Sequence, residues 1–415
     1  MTLDLVCMLA LLVITATQVV LVGWFAAICR RGAARPSSAP PCLSPARVIL
    51  CLRGSDPFLG DTIRAAVNQD HPDYELRVVV DSRDDPAWAE VEAALAAARP
   101  RCRVEVEPLE SRPQASSLKC ASLLQGLRYA DRDTEMVALL DADVVPAPNW
   151  LRTLGTALAA EGCGVATGNR WYAPPDRELG SWARAGWNAG ALVQMVCFGI
   201  PWGGTLAVRS SLLESAGLRS KWANAFCEDT LLSAALAGTG WRVTFVPDLI
   251  AVNRESVTLT ALLPWITRQL LTARLYHPSW PVVAVFGLSA PLAVMATAIA
   301  IGLALARGDM AALAGLGTCL ALFLASLPTL FLWIERVVMR TVGTRRDAAA
   351  PALTDAIRGT FSAQAIYGNA ILRALTLTST RWRGATYRIG GPFDIRLVAD
   401  DEAAGPAGPA SLHSI

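Results

Sequence analysis

Charge is scarce in this chain. Lys, Arg, Asp and Glu make up 17% of its 415 residues against 53% hydrophobic residues, too apolar a balance for a purely soluble protein of this size. A net charge of +2 leaves no basic surplus for a nucleic-acid partner. Histidine is almost missing, three in all and far apart, so a His-based metal site is not expected. The ten cysteines are scattered singly, with no C-x-x-C pair and no Cys/His spacing, which argues against a zinc site or a disulfide framework. Several fall in apolar runs, where a free Cys behaves as a small hydrophobe; reduced thiols suit a cytoplasmic or membrane setting. Lysine is rare too: Lys119 is the only one before Lys221.

Apolar length is what the chain has instead. Leu5 to Cys29 carries no charge and is long enough to cross a hydrocarbon core of about 30 Å as a helix. The leading MTLD lacks Arg and Lys while Arg30, Arg31 and Arg35 follow the run, which fits a retained transmembrane helix better than a cleaved signal peptide. Positive flanks mark the inner side, so the N-terminus is predicted outside and the next domain inside. Arg35 to Pro45, rich in Pro, Ser and Ala, reads as a linker. Two more uncharged runs, Pro278 to Ala306 and Met310 to Ile334, are separated by Arg307, Gly308 and Asp309. They predict a helical hairpin (278–334) with its tip outside, Pro328 kinking its second arm. The Arg-rich stretch Glu335 to Arg346 returns the chain to the cytoplasm. Thr360 to Thr378 contains Gln364, Asn369 and Arg373, costly in lipid. A C-terminal segment (355–391) is therefore predicted to hold an interfacial amphipathic helix. Arg381-Trp382-Arg383 and Tyr387-Arg388 behind it suit anionic headgroups. From Asp400 to Ile415 the composition predicts a disordered tail.

Between Arg47 and Tyr276 strand and helix patterns alternate, predicting an α/β domain with a largely parallel sheet. Val48 to Leu52, Leu76 to Val80, Val104 to Val106 and Met136 to Leu140 read as strands. Pro57 to Asn68 and Ser116 to Tyr129 read as helices. Asp81 and the pair Asp141/Asp143 sit at strand carboxyl ends, where open parallel sheets gather ligands.

Asp-x-Asp after an apolar strand projects both carboxylates the same way. Their repulsion is relieved by a hard divalent cation bridging to a diphosphate, since Mg²⁺ takes one or two carboxylates plus phosphate oxygens. A helix cap ahead of Asn149-Trp150 is an equal alternative for the same tripeptide. Asp81 has the choice between a base or ribose partner and a turn, with Asp84 and Asp85 beside it. Lys119 is either solvated or part of the ligand site. Glu228-Asp229 is either a helix start, opening Thr230 to Ala237, or a site whose Asp229 is a general base toward an acceptor hydroxyl. Arg268 lies in an amphipathic stretch before the second apolar run and either anchors it to the membrane surface or clamps a leaving diphosphate.

Taken in order, Asp81, Lys119, Asp141-Ala142-Asp143, Trp202-Gly203-Gly204-Thr205, Glu228-Asp229 and Arg268 resemble the inverting family 2 glycosyltransferases in their membrane-embedded branch. Leu52 to Pro57, Asp81 to Pro86, Ala225 to Trp241 and Ser379 to Arg388 are most similar to the ceramide glucosyltransferase group. The likeness covers nearly all of Arg47 to Gly391. It implies a GT-A domain (47–276) with transmembrane helices on both sides, a UDP-sugar donor, and Mg²⁺ or Mn²⁺. It also implies single displacement with inversion. By the same resemblance Asp81 binds uridine, Asp141 and Asp143 hold the metal, Lys119, Asp141 and Arg268 serve the donor, and Asp229 is the base. Two positions depart from the pattern. The Gln/Arg-x-x-Arg-Trp motif around Arg268 lacks its leading Gln/Arg and its Trp, and a full Asp-x-Asp replaces the group's Asp-Ser-Gly-type segment.

The resulting expectation is an inner-membrane enzyme that moves a hexose from a nucleotide-sugar to a lipid hydroxyl, with no nucleic-acid partner. Alternatives are a polysaccharide synthase-type transferase, for which three spanning helices leave little material for a pore, and a nucleotidyltransferase on a similar fold. A non-catalytic scaffold would keep the fold without the reaction.

Overall fold

A computed structural model describes residues 2–33, 44–128, 134–343 and 350–401. Most of the predicted linker, Tyr129, Arg346 and residues 402–415 of the predicted tail lie outside the described residues.

Helix α1 (Leu3–Ala33) carries the first apolar run. The α/β domain opens with strand β1 (Ala46–Leu52), helix α2 (Leu59–Ala66), β2 (Tyr74–Val80), α3 (Pro86–Ala97) and β3 (Arg103–Pro108). Val48, Leu50, Val78, Val79 and Val80 are all fully buried, so both faces of these strands are covered, as parallel strands require. Helix α4 (Leu118–Gly126) is capped by Ser117, whose hydroxyl accepts the Cys120 N–H at 3.2 Å. Strand β4 (Met136–Leu140) follows, then α5 (Trp150–Leu158), which buries Trp150, Leu151, Leu154 and Leu158 along one stripe.

Strand β5 (Cys163–Tyr172), the long helix α6 (Leu179–Phe198) and strand β6 (Thr205–Arg209) come next. Three short helices, α7 (Ser211–Ser215), α8 (Leu218–Trp222) and α9 (Leu232–Ala235), precede β7 (Arg242–Asn253). The helix expected over Thr230 to Ala237 shrinks to α9. The Asp229 side chain turns toward Gly203 instead of capping a full helix, and Gly238 at φ +76° ends the segment.

The seven strands order as β3-β2-β1-β4-β6-β5-β7. β1, β2, β3 and β4 are parallel, while β6 runs antiparallel between β4 and β5. The chain adds β2 and β3 on one side of β1 and then β4 on the other. That reversal leaves a crevice beyond the carboxyl ends of β1 and β4.

Helix α10 (Leu259–Tyr276) leads into α11 (Trp280–Arg307) and α12 (Met310–Thr341). Among the described residues, α1, α11 and α12 are the helices long and apolar enough to cross a membrane, with mean hydropathies of 2.6, 2.2 and 2.0. They leave bulky apolar side chains bare, Val20 at 68% and Val285 at 70% exposure, as helices of that length and hydropathy do when they meet a membrane or a partner. Helix α12 runs unbroken through Pro328. Arg307 at the hairpin tip pairs with Asp4 at 2.8 Å, so the start of α1 and the tip share one end of the bundle. Arg30, Arg31 and Arg340 share the other end with the sheet domain.

Helix α13 (Leu353–Thr376) lies along α6 and α10. Glycines permit this approach: a Cβ on Gly359 would come within 2.6 Å of the Trp182 carbonyl oxygen. The remainder of the C-terminal segment is a three-stranded antiparallel sheet, β8 (Ser379–Trp382), β9 (Ala385–Gly391) and β10 (Asp394–Asp400). It packs Tyr387, Ile389 and Ile395 into the core. Asp400, where the tail was expected to begin, closes β10 opposite Ala385 and pairs with Arg53 at 2.6 Å and with Arg112. Two cationic partners, Arg53 buried and Arg112 half-buried, give it order that composition does not show.

Candidate active site

The crevice is a cavity of about 220 Å³ lined, among others, by Asp81, Lys119, Asp141, Asp143, Asp229 and Arg268. All six residues singled out from the sequence thus face one space, although they come from β2, α4, the β4–α5 loop, the segment before α9 and α10.

Lys119 projects from the first turn of α4 and bridges two carboxylates, Asp141 at 2.7 Å and Glu228 at 2.7 Å. Burial opposes its charge, but Asp141 and then Glu228 hold its ammonium well above the usual lysine range. Burial pushes the Glu228 carboxyl up to about 7 against the pull of Lys119, with Asp229 adding to the rise. Neither Asp141 nor Asp143 caps α5: Asn149 occupies the cap position, and Asp143 accepts a hydrogen bond from the Asn253 side chain at 3.2 Å. Burial, then the charges of Asp141 and Asp56, push the Asp143 carboxyl up to about 7. A divalent cation fits such a pair, because it removes the cost of a buried anion. Among the described residues no group of three His, Cys, Asp or Glu could hold a metal. Two carboxylates are enough for an ion that takes its other ligands from phosphate and water.

Asp229 is fixed by three donors: the Gly203 N–H at 2.9 Å, the Thr230 hydroxyl at 2.9 Å and the Thr230 N–H. A Cβ on Gly203 would strike the Glu228 carboxylate, so any larger residue there must displace that side chain. Asp81 is buried under two guanidiniums, Arg53 at 3.2 Å and Arg112 at 2.8 Å. Its turn alternative is taken by Asp85 instead, which caps α3 and accepts the Gly54 N–H. Arg268 is half-buried, with its guanidinium 5.4 Å from the Trp382 ring centre. Burial, then Arg383 and Arg170, lower its guanidinium to about 9.

Arg170 and Arg383 escaped the sequence reading. Arg170 on β5 donates to the Gln269 side chain at 2.9 Å and lies 4.9 Å from the Trp265 ring centre. An Arg inside the buried run Gly164 to Tyr172 was its signal. Arg383, expected to meet headgroups, instead folds inward at the β8–β9 turn with φ +46°. Both its terminal contacts to Asp56 measure 2.9 Å. Burial works against its charge, yet Asp56 keeps its guanidinium above its ordinary value. The acid of Gly54-Ser55-Asp56-Pro57 was the available hint. Lys119, Arg170, Arg268 and Arg383 therefore surround the Asp141/Asp143 pair with cations suited to an anionic ligand.

The mixed α/β sheet is that of GT-A glycosyltransferases, as one solved structure shows. The mannosyltransferase PcManGT from Pyrobaculum calidifontis, in complex with GDP-Man and Mn²⁺, superposes with a TM-score of 0.50 at 20% identity, covering 81% of this chain and 99% of that one. The chain belongs to glycosyl transferase family 21, whose model matches residues 5–392. This corrects the number 2 given by resemblance and retains its ceramide glucosyltransferase-like character. Two further structures are more distant. Glucosyl-3-phosphoglycerate synthase from Mycobacterium tuberculosis, in complex with Mn²⁺ and UDP-glucose, is 19% identical with a TM-score of 0.35, covering 55% of this chain and 79% of that one. S. aureus TarS in complex with UDP-GlcNAc is 14% identical with a TM-score of 0.37, covering 86% and 100%. No curated protein matches the chain. The protein is a glycosyltransferase.

Proposed function

We propose that the chain transfers a hexose from a UDP-sugar to the hydroxyl of a membrane lipid at the inner membrane face, with inversion. The observation that carries this reading is a single cavity with two kinds of wall. One side presents Lys119, Asp141, Asp143, Asp229, Arg268 and Arg383, and the other presents Trp187, Ala191 and Tyr367 from helices packed against the membrane bundle. A charged donor and an apolar acceptor meet in such a place. The domain lies at the same end of the bundle as Arg30, Arg31 and Arg340, which supports a cytoplasmic domain.

In this reading Asp229 takes the proton of the acceptor hydroxyl. The acceptor oxygen bonds to the anomeric carbon as the bond from that carbon to the diphosphate oxygen breaks. Arg268, Arg383 and Lys119 offset the charge that builds on the leaving diphosphate. Asp81, with Arg53 and Arg112 around it, serves the base end of the donor. Asp141 and Asp143 would hold Mg²⁺ or Mn²⁺, which neutralises diphosphate charge when bound.

The test is to incubate membranes containing the protein with labelled UDP-glucose, UDP-galactose, UDP-GlcNAc and GDP-mannose, then extract lipids. Label is expected in the organic phase with a UDP-sugar. Label only in aqueous polymer would favour polysaccharide synthesis, and none in either phase would overturn glycosyl transfer to lipid.

The metal role has its own signature. Because the Asp143 carboxyl sits near 7, a cation binding below that pH must displace its proton. Mn²⁺ affinity in the presence of UDP-glucose is expected to weaken about tenfold per pH unit below 7 and to level off above it. Calorimetric titrations from pH 5.5 to 8 check this, with Asp143→Asn losing the slope. A flat profile in the unmodified protein would remove Asp143 from the ligand set.

A further inference from the structure

A second cavity, of about 120 Å³, lies between α6, α13 and the three spanning helices. We propose that it seats one alkyl chain of the acceptor, leading it from the bilayer to the reacting hydroxyl; this deepens, and rests on, the lipid-transfer reading above.

The first argument is continuity. Trp187, Ala191, Gln194 and Tyr367 line both cavities. Trp187, Ala191 and Gln194 recur at helical spacing, so one stripe of α6 is a wall common to the two. Aromatic rings mark the passage: Tyr367 lies edge-on to Trp187, and Trp187 edge-on to Trp265, with centroids 6.4 and 5.3 Å apart. Trp265 in turn faces the Arg170 guanidinium. The two cavities thus meet at one shared wall, from which a ladder of rings leads to the charged crevice.

The second argument is chemical. Val22, Phe286, Leu327, Phe331 and Ala363 give the inner cavity an apolar lining. A nucleotide or sugar would lose its hydration there without recovering hydrogen bonds, whereas a hydrocarbon chain gains contact on all sides. Polar character is confined to a few groups, among them Gln18, whose side-chain oxygen is buried and accepts no hydrogen bond among the described residues. That oxygen can take a hydroxyl or amide donor carried by a lipid.

The third argument is Gly190. It lies inside α6, where glycine is less favourable than alanine. No left-handed backbone requires it, and a Cβ built there would meet nothing within 4 Å. Neither packing nor conformation explains this glycine. Its effect is to keep the groove open beside Trp187 and Gln194.

The experiment fills that space. The full-length protein, Gly190→Leu and Gly190→Ala are purified in detergent and exposed to hexadecanol bearing a mid-chain diazirine, then irradiated and mapped by mass spectrometry. Crosslinks are expected around Trp187, Gln194 and Tyr367. Gly190→Leu should reduce them at least fivefold and Gly190→Ala much less, with melting temperature not lowered and UDP-glucose affinity unchanged in both. Crosslinks spread over the outward faces of α11 and α12, equal in all three proteins, would mean ordinary surrounding lipid and overturn the proposal. Labelled lipid formed equally by the unmodified protein and Gly190→Leu would also overturn it while keeping lipid transfer. Crosslinks inside the cavity with no labelled lipid from any donor would uphold the chain seat and sink the transfer reading.

Discussion

Replacing Asp229 with asparagine is expected to lower the rate of sugar transfer by about 10²–10⁴-fold, the usual contribution of a general base. Three hydrogen bonds hold the side chain in place. One carboxylate oxygen accepts from the Gly203 N–H, and the other accepts from the N–H and hydroxyl of Thr230. Asparagine has the same shape and one accepting oxygen, so it keeps Thr230 or Gly203 but not both. The structural cost is one charge-assisted hydrogen bond, about 1.5–3 kcal/mol, too little to unfold the site. Donor affinity should therefore stay within a few-fold while kcat falls, because the lost group acts on the acceptor proton. Turnover of the purified variant with a labelled UDP-sugar, alongside UDP-glucose titration, separates the two quantities. A kcat within threefold of the unmodified protein would remove Asp229 from the reaction. A collapse of donor affinity with unchanged kcat would give it a binding role instead.

Asp229 also shows how far the sequence could be read. Its place after Phe226-Cys227 suggested a helix start, yet the fold makes it the partner of Gly203, a residue 26 positions away. Local signals succeeded where burial leaves a local mark. The Val, Ile and Leu runs of β1, β2 and β4, each ending on a polar residue, place Arg53, Asp81 and Asp141 at one edge of the sheet. Uncharged length likewise revealed α1, α11 and α12. What stayed hidden depends on contacts remote in sequence. The antiparallel insertion of β6 between β4 and β5 has no periodic signature of its own. The strands β8 to β10 alternate too weakly, with Arg at several outward positions, to announce a sheet. Arg383 looked like a surface cation because its partner, Asp56, lies 327 residues earlier. The same limit applied to Lys119: its rarity was visible, while its two carboxylate partners were not.

Those two partners make Lys119→Met the second substitution with a large expected effect, on stability as well as on transfer. Removing one member of a buried ionic group typically costs 3–5 kcal/mol, because the remaining charges lose their compensation. Lys119 and Asp141 keep about a fifth to a quarter of their side-chain surface in solvent, so the lower end, about 3 kcal/mol, is expected here. That corresponds to roughly 6–12 °C in melting temperature for a domain of this size. The loss should depend on pH in a defined direction. Burial already raises the Glu228 carboxyl to about 7, and Lys119 is the largest influence holding it down. Without the lysine the carboxyl rises further, and a raised acid stabilises the fold when protonated and ceases to as pH climbs through its folded value. Lys119→Met should therefore lose less at pH 6 than at pH 8. Adding Glu228→Gln removes the stranded charge and should recover much of the stability, without restoring transfer, since Asp141 still lacks its cation. Thermal melts of the single and double variants at both pH values check this. Equal losses at pH 6 and pH 8, with no recovery from Glu228→Gln, would show that Lys119 stabilises the site by packing and not by charge.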